Sequence, residues 1–207
     1  MREKEGLMTE WKLVGRPALL LVHMQNAICK APSPIEAMGH CRATQEDGII
    51  PNIQALQKAF REKGQPVIFV CTYTPDDTKY ASYGGFWTGG REIIVNRMGT
   101  RDVEVIDELA PMPGERVFYN WPFDIFRHND LRQYLIDKKV ETVVVTGVAT
   151  GMSVGHAAFV LADRFYSLIV PSDTCTDGNR ELHEAIMKWM IPAIALVTTS
   201  QDVIAHL

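Results

Sequence analysis

No charge of one sign dominates this chain: 21 basic residues stand against 25 acidic ones, for a net charge of −4. The basic residues form no cluster, so the sequence points to neither nucleic acid nor an anionic membrane as a partner. No apolar run reaches the ~18 residues that a membrane span requires. The opening Met1-Arg2-Glu3-Lys4-Glu5-Gly6 has no apolar core, so no secretory signal is expected. Cysteine is scarce. Cys29, Cys41, Cys71 and Cys175 are scattered without CxxC spacing, which argues against a disulfide framework and fits free thiols in a reducing cytoplasm. Repeats, low-complexity stretches and linkers are also lacking. With 46% hydrophobic residues in 207, the expectation is one domain spanning 1–207 with a substantial core.

What is present is an alternation. Apolar runs rich in β-branched residues at 18–22, 66–71, 116–119, 142–146, 166–170 and 194–198 read as strands, and the unbroken apolar run at 142–146 suits a strand covered on both faces. Helical patterns lie between them. Ile50, Ile53, Leu56 and Phe60 share a helix face that Gly64 terminates, and Val103 to Leu109 suggests a short helix closed by Pro111. Asn129 is placed to cap a helix carrying Leu131 and Leu135, residues 153–164 and 181–190 should be helical, and Ser200 is placed to cap the last helix. The alternation predicts an α/β fold, three layers α/β/α, with a mostly parallel sheet of about six strands. Residues 74–98, long and aromatic around Phe86 and Trp87, read either as a lid or as a subunit contact.

Three short stretches carry the chemistry. The run Ala18 to Asn26 (ALLLVHMQN), the run Val117 to Asn120 leading on to Phe126, and Gly147 to Val154 (GVATGMSV) resemble the three motifs of the isochorismatase-like cysteine hydrolases. The resemblance extends over roughly residues 14–200, and Asp163-Arg164, Tyr166 and Asp173 add to it. It implies an isochorismatase-like, Rossmann-like fold and a pocket at the carboxyl ends of the strands. It implies a cis peptide at Val148–Ala149 and an oxyanion hole from the backbone amides of Ala149 and Ser153. In such proteins the three motifs supply an Asp, a Lys and a nucleophilic Cys. Here the matching residues are His23, Asn120 and Ser153. Some nicotinamidase-like members bind a metal through Asp-x-His, but the matching positions are Thr72 and Thr74, so neither a metal nor another cofactor is expected.

The substituted triad has a chemical reading. Serine replaces cysteine as a nucleophile only with a competent base, and His23 has an ordinary pKa near neutrality. Asn120 could donate a hydrogen bond to an oxyanion or to substrate. Gln25, Trp121, Phe123 and His156 are candidates to bind substrate, with His156 in reserve as a base. Each principal residue also has a structural explanation: Ser153 as a helix cap, His23 as a core histidine, Asn120 as a loop-orienting amide. His40, His128, His183 and His206 show no paired metal spacing and are expected at the surface. Asp173 is expected to cap the turn after its strand. Two functions follow. One is a hydrolase with altered chemistry, acting on a small carbonyl, amide, ester or enol-ether metabolite. The other is a catalytically silent binding protein of the same fold. The expected partners are a small-molecule substrate and further copies of the chain in a homo-oligomer, with no nucleic acid or membrane.

Overall fold

The computed structural model of the chain describes residues 11–33, 35–75, 96–121 and 123–207. The expected strands appear as β1 (Arg16–Val22), β2 (Val67–Thr72), β3 (Arg116–Asn120), β4 (Val140–Val148), β5 (Ser167–Pro171) and β7 (Leu196–Thr198). A seventh, β6 (Cys175–Thr176), is two residues long, too short for periodicity to reveal. The strand order is β3-β2-β1-β4-β5-β7, β6 pairs with the end of β4, and every pairing between these strands is parallel. The chain runs outward from β1 through β2 to β3, then returns to lay β4 on the other side of β1. The order therefore reverses between β1 and β4, where open α/β sheets form a crevice beyond the carboxyl ends.

Seven helices cover the sheet: α1 (Asn26–Cys29), α2 (His40–Glu46), α3 (Ile49–Glu62), α4 (Leu131–Asp137), α5 (Gly155–Ala162), α6 (Arg180–Ala185) and α7 (Ser200–His206), counted among the described residues. Strand alternation divides the core between two faces. Ala18, Leu20 and Val22 of β1 pack with Leu131 and Leu135 of α4 and with Ala157, Ala158 and Leu161 of α5. Leu19 and Leu21 pack with Ile49, Ile53, Leu56 and Phe60 of α3 and with Val203 of α7. All of β1 after Arg16 is buried, as a strand covered on both faces must be.

Local expectations fared unevenly. The helix expected over 103–109 forms two separate 3₁₀ turns, Arg101–Val103 and Asp107–Leu109. Between them Val105 bridges to Gln25, and Ile106 N–H donates to Met24 O at 3.0 Å, so tertiary pairing takes the backbone groups a helix needs. The N-cap of α4 is Asp130 rather than Asn129; Asn129, one residue earlier, accepts from Leu131 N–H at 3.0 Å through its side-chain oxygen. The cap of α7 is Thr199, which accepts from Asp202 N–H, while Ser200 N–H and hydroxyl donate to Asp173 at 2.8 and 2.6 Å. The Asp173 carboxylate thus holds the start of α7. The lid-or-contact reading of residues 74–98 falls mostly on residues 76–95, outside the described residues. No helix among the described residues is long and apolar enough to cross a membrane.

Candidate active site

The carboxyl ends of β1 and β4, where the strand order reverses, come together through a close approach of their backbones. Gly147 sits opposite Val22 in the ladder with φ +123°, and a Cβ there would lie 2.1 Å from Val22 O. Only glycine allows both the backbone angle and the contact. Immediately beyond, the Val148–Ala149 peptide is cis, as the resemblance implied. Residues Thr150–Val154 then form one π-helical turn, which leads into α5 and carries Ser153.

His23 is the first residue past β1. Its N–H extends the sheet by donating to Val70 O at 2.8 Å, and its φ of +54° turns the chain out of the strand. The side chain is almost wholly buried, and Nε2 lies 3.2 Å from Asn120 Oδ1 at the end of β3. The Asn120 amide nitrogen donates to Asp124 O at 3.4 Å, so its oxygen faces the imidazole. Nε2 is therefore the protonated nitrogen and Nδ1 carries the lone pair. Burial pushes the His23 pKa down from 6.5 to about 4. The Asn120 bond opposes that shift, and a charge on nearby His40 reinforces it. At neutral pH the pair is an uncharged hydrogen bond.

Ser153 is also buried. Among the described residues its hydroxyl makes no hydrogen bond, so the expected His23–Ser153 contact is not formed here. The Ser153 N–H donates to Ala149 O at 2.9 Å, beside Val154 N–H at 3.0 Å. The Ser153 amide, one of the expected oxyanion-hole pair, is therefore engaged within the π turn. The three motifs do converge on the carboxyl ends of β1, β3 and β4, and the bond actually formed joins His23 to Asn120.

The reading of Gln25 as substrate-binding is corrected by its surroundings. Its side-chain nitrogen donates to Thr72 O and Asp102 O, each at 3.0 Å, and its oxygen accepts from Thr72 N–H at 2.7 Å. Fully buried, it clamps the end of β2 to the following loop. Trp121 and Phe123 are half-buried beside Asn120. His156 lies on α5, half-buried, and its Nδ1 is a buried atom without a hydrogen-bond partner among the described residues. Thr72 and Thr74 are buried, the Thr72 hydroxyl reaching Asn120 O at 3.4 Å. Among the described residues no group of three or more His, Cys, Asp or Glu side chains is placed to hold a metal.

Two histidines expected at the surface are not there. His40 is buried and accepts from Gly178 N–H at 3.0 Å through Nδ1, and burial lowers its pKa. His183 is half-buried, with Nδ1 2.9 Å from the Thr150 hydroxyl. His128 and His206 are exposed, as expected. Asp177, buried beside the Ser153 turn, was not singled out from sequence at all. Its only local signal was Asp177-Gly178-Asn179, which reads as a turn, and Asn179 does cap α6. The four cysteines are free and buried. Burial raises every thiol pKa, to about 12 for Cys29 and Cys175, so none is a thiolate at neutral pH.

A family model described as isochorismatase domain matches residues 17–202. The phenazine biosynthesis protein PhzD of Pseudomonas fluorescens is 23% identical over 206 residues, which cover 98% of this chain and 92% of that protein. The N-carbamoylsarcosine amidase of Arthrobacter is 24% identical over 165 residues, covering 79% of this chain and 60% of that protein. A solved cysteine hydrolase from Pseudomonas syringae pv. phaseolicola 1448A superposes with a TM-score of 0.83 at 20% identity, covering 98% of this chain and 97% of the other. At that identity the structural likeness concerns the fold.

Proposed function

The chain belongs to the isochorismatase family, and from that premise we propose that it is a hydrolase of small carbonyl compounds with Ser153 as nucleophile, His23 as base and Asn120 as the residue that orients His23. The observation that supports this is the His23–Asn120 hydrogen bond. A nucleophile–base–orienter site needs one imidazole nitrogen protonated and held, so that the other can take a proton. Asn120 holds Nε2–H and leaves the Nδ1 lone pair available. Its proposed role is thus orientation of the base, in place of the donation to an oxyanion expected from sequence. The Ser153 hydroxyl would attack the carbonyl carbon as its proton passes to His23 Nδ1. The leaving group would depart with that proton, and water would then hydrolyse the acyl-serine. Catalytic hydrogen bonds are often unmade before substrate binds, which accommodates the missing His23–Ser153 contact.

The electrostatics narrow the substrate. A base of pKa about 4 accepts the serine proton less favourably than an ordinary histidine, by about 3 kcal/mol. Asn120 supplies no negative charge to stabilise the imidazolium. Such a site suits esters and other activated acyl groups better than unactivated amides. The test is hydrolysis of a panel of small esters, amides and enol ethers, with mass spectrometry of the trapped enzyme. Ester turnover, an acyl adduct on Ser153, loss of activity in Ser153→Ala and a loss of about 100-fold in His23→Ala are expected. Full activity in both variants would refute the assignment.

The Ser153 hydroxyl, without a hydrogen bond among the described residues, favours a second reading, a small-molecule-binding protein that does not turn its ligand over. It predicts ligand-induced thermal stabilisation that Ser153→Ala retains, with no turnover of any compound in the panel.

A further inference from the structure

The turn that carries Ser153 is held from outside by one short segment, residues 176–183. Thr176 of β6 sits beside Val148 in the ladder, so this segment begins next to the cis peptide. Its first grip is on Thr150: the Thr150 hydroxyl donates to Thr176 O at 3.0 Å and lies 2.9 Å from His183 Nδ1. Because that hydroxyl's single proton goes to Thr176 O, His183 must donate from Nδ1. The second grip is on the backbone. Asp177 Oδ2 accepts from Gly151 N–H at 2.8 Å, and Oδ1 accepts from Asn179 N–H at 3.0 Å. The first N–H groups of a helical turn have no acceptor within the turn itself, and a buried carboxylate is a strong acceptor there. Leu182 closes the contact, its Cδ2 lying 2.5 Å from where a Gly151 Cβ would be.

From this geometry we propose that Asp177 is a positioning residue for Ser153. It fixes the pitch of the 150–154 turn through Gly151 N–H, with His183 seconding it on Thr150. The inference rests on the reading of Ser153 as the nucleophile. The chemistry requires Asp specifically. Two N–H groups converge on two oxygens, and an Asn side chain would present an NH₂ to one of them, which loses that bond and sets donor against donor. A nucleophile displaced by an ångström costs up to about 100-fold in rate, so a clamp two residues away acts on rate without touching substrate.

The experiment measures the rate at which a fluorophosphonate probe labels Ser153, its oxygen displacing fluoride from phosphorus. Asp177→Ala should label at least about tenfold more slowly than wild type, and Asp177→Asn should fall between them. The control is Asp173→Asn, because Asp173 accepts a comparable pair of bonds from Ser200 on the α7 side. It should label within about twofold of wild type even where its melting temperature falls. Wild-type labelling rates in Asp177→Ala, or equal slowing in Asp173→Asn, would overturn the proposal. Hydrogen exchange of the Gly151 amide separates this outcome from a failure of the nucleophile assignment. If wild-type Ser153 never labels, that assignment is wrong. The clamp is then judged by whether Asp177→Ala, and not Asp173→Asn, speeds exchange at Gly151. Unchanged exchange there would refute it.

Discussion

Acidification should destabilise this protein through His23, by an amount the structure allows to be worked out. The imidazole is buried, and its pKa falls from 6.5 to about 4, chiefly because burial disfavours the charged ring. Below pH 6.5 the unfolded chain takes up a proton that the native protein refuses. The unfolded state therefore binds more protons, and stability declines as pH falls. The loss accumulates between about 6.5 and about 4 and stops where the native ring also charges. Across that window it amounts to about 3 kcal/mol, a large share of the 5–15 kcal/mol typical of a domain. The assay is urea denaturation at a series of pH values from 7.5 to 4, on wild type and on His23→Gln. His40 and His183, whose pKa values burial also lowers, slope both proteins in the same direction. The difference between the two curves isolates His23. The variant should begin less stable at pH 7.5, having lost a fitted ring at a left-handed position, and should then lose markedly less on acidification. Parallel curves would mean that His23 is not held neutral by burial, and the account of a weak, uncharged base would fail with it.

Three further outcomes follow from the same geometry. Asn120→Asp would place a negative charge against His23 Nε2–H and raise the histidine pKa. The acid limb of the rate profile should then move upward from about 4, read directly from kcat/KM against pH with an ester substrate. The four buried thiols should resist a disulfide reagent in the native protein and react only on unfolding, with activity unchanged by alkylation under native conditions. Gly147→Ala would force a methyl group onto Val22 O at 2.1 Å while holding φ at +123°. A loss of at least about 3 kcal/mol, or no soluble protein, is expected, measured by urea midpoint.

The alternation of apolar runs and helical patterns suffices to place six of the seven strands among the described residues, because burial on both faces leaves a local mark on each strand. The motif spacing likewise locates His23, Asn120, Ser153 and the cis peptide, since each lies at or just beyond a strand's carboxyl end. Two kinds of feature escape such reading. β6 is too short for a period, and the turns at 101–109 answer to Gln25 and Asn26 far away in the chain. Which side chains meet is also invisible. His23 and Asn120 are 97 residues apart, and their hydrogen bond exists because β2 separates β1 from β3 by one strand's width. The pKa of His23, the engaged amide of Ser153 and the grip of Asp177 on Gly151 follow from that packing. Sequence alone determined which groups stand at the strand ends, because local pattern sets where strands end. Tertiary structure alone decided which groups are paired and uncharged, because hydrogen bonding and desolvation depend on neighbours that chain order does not bring together.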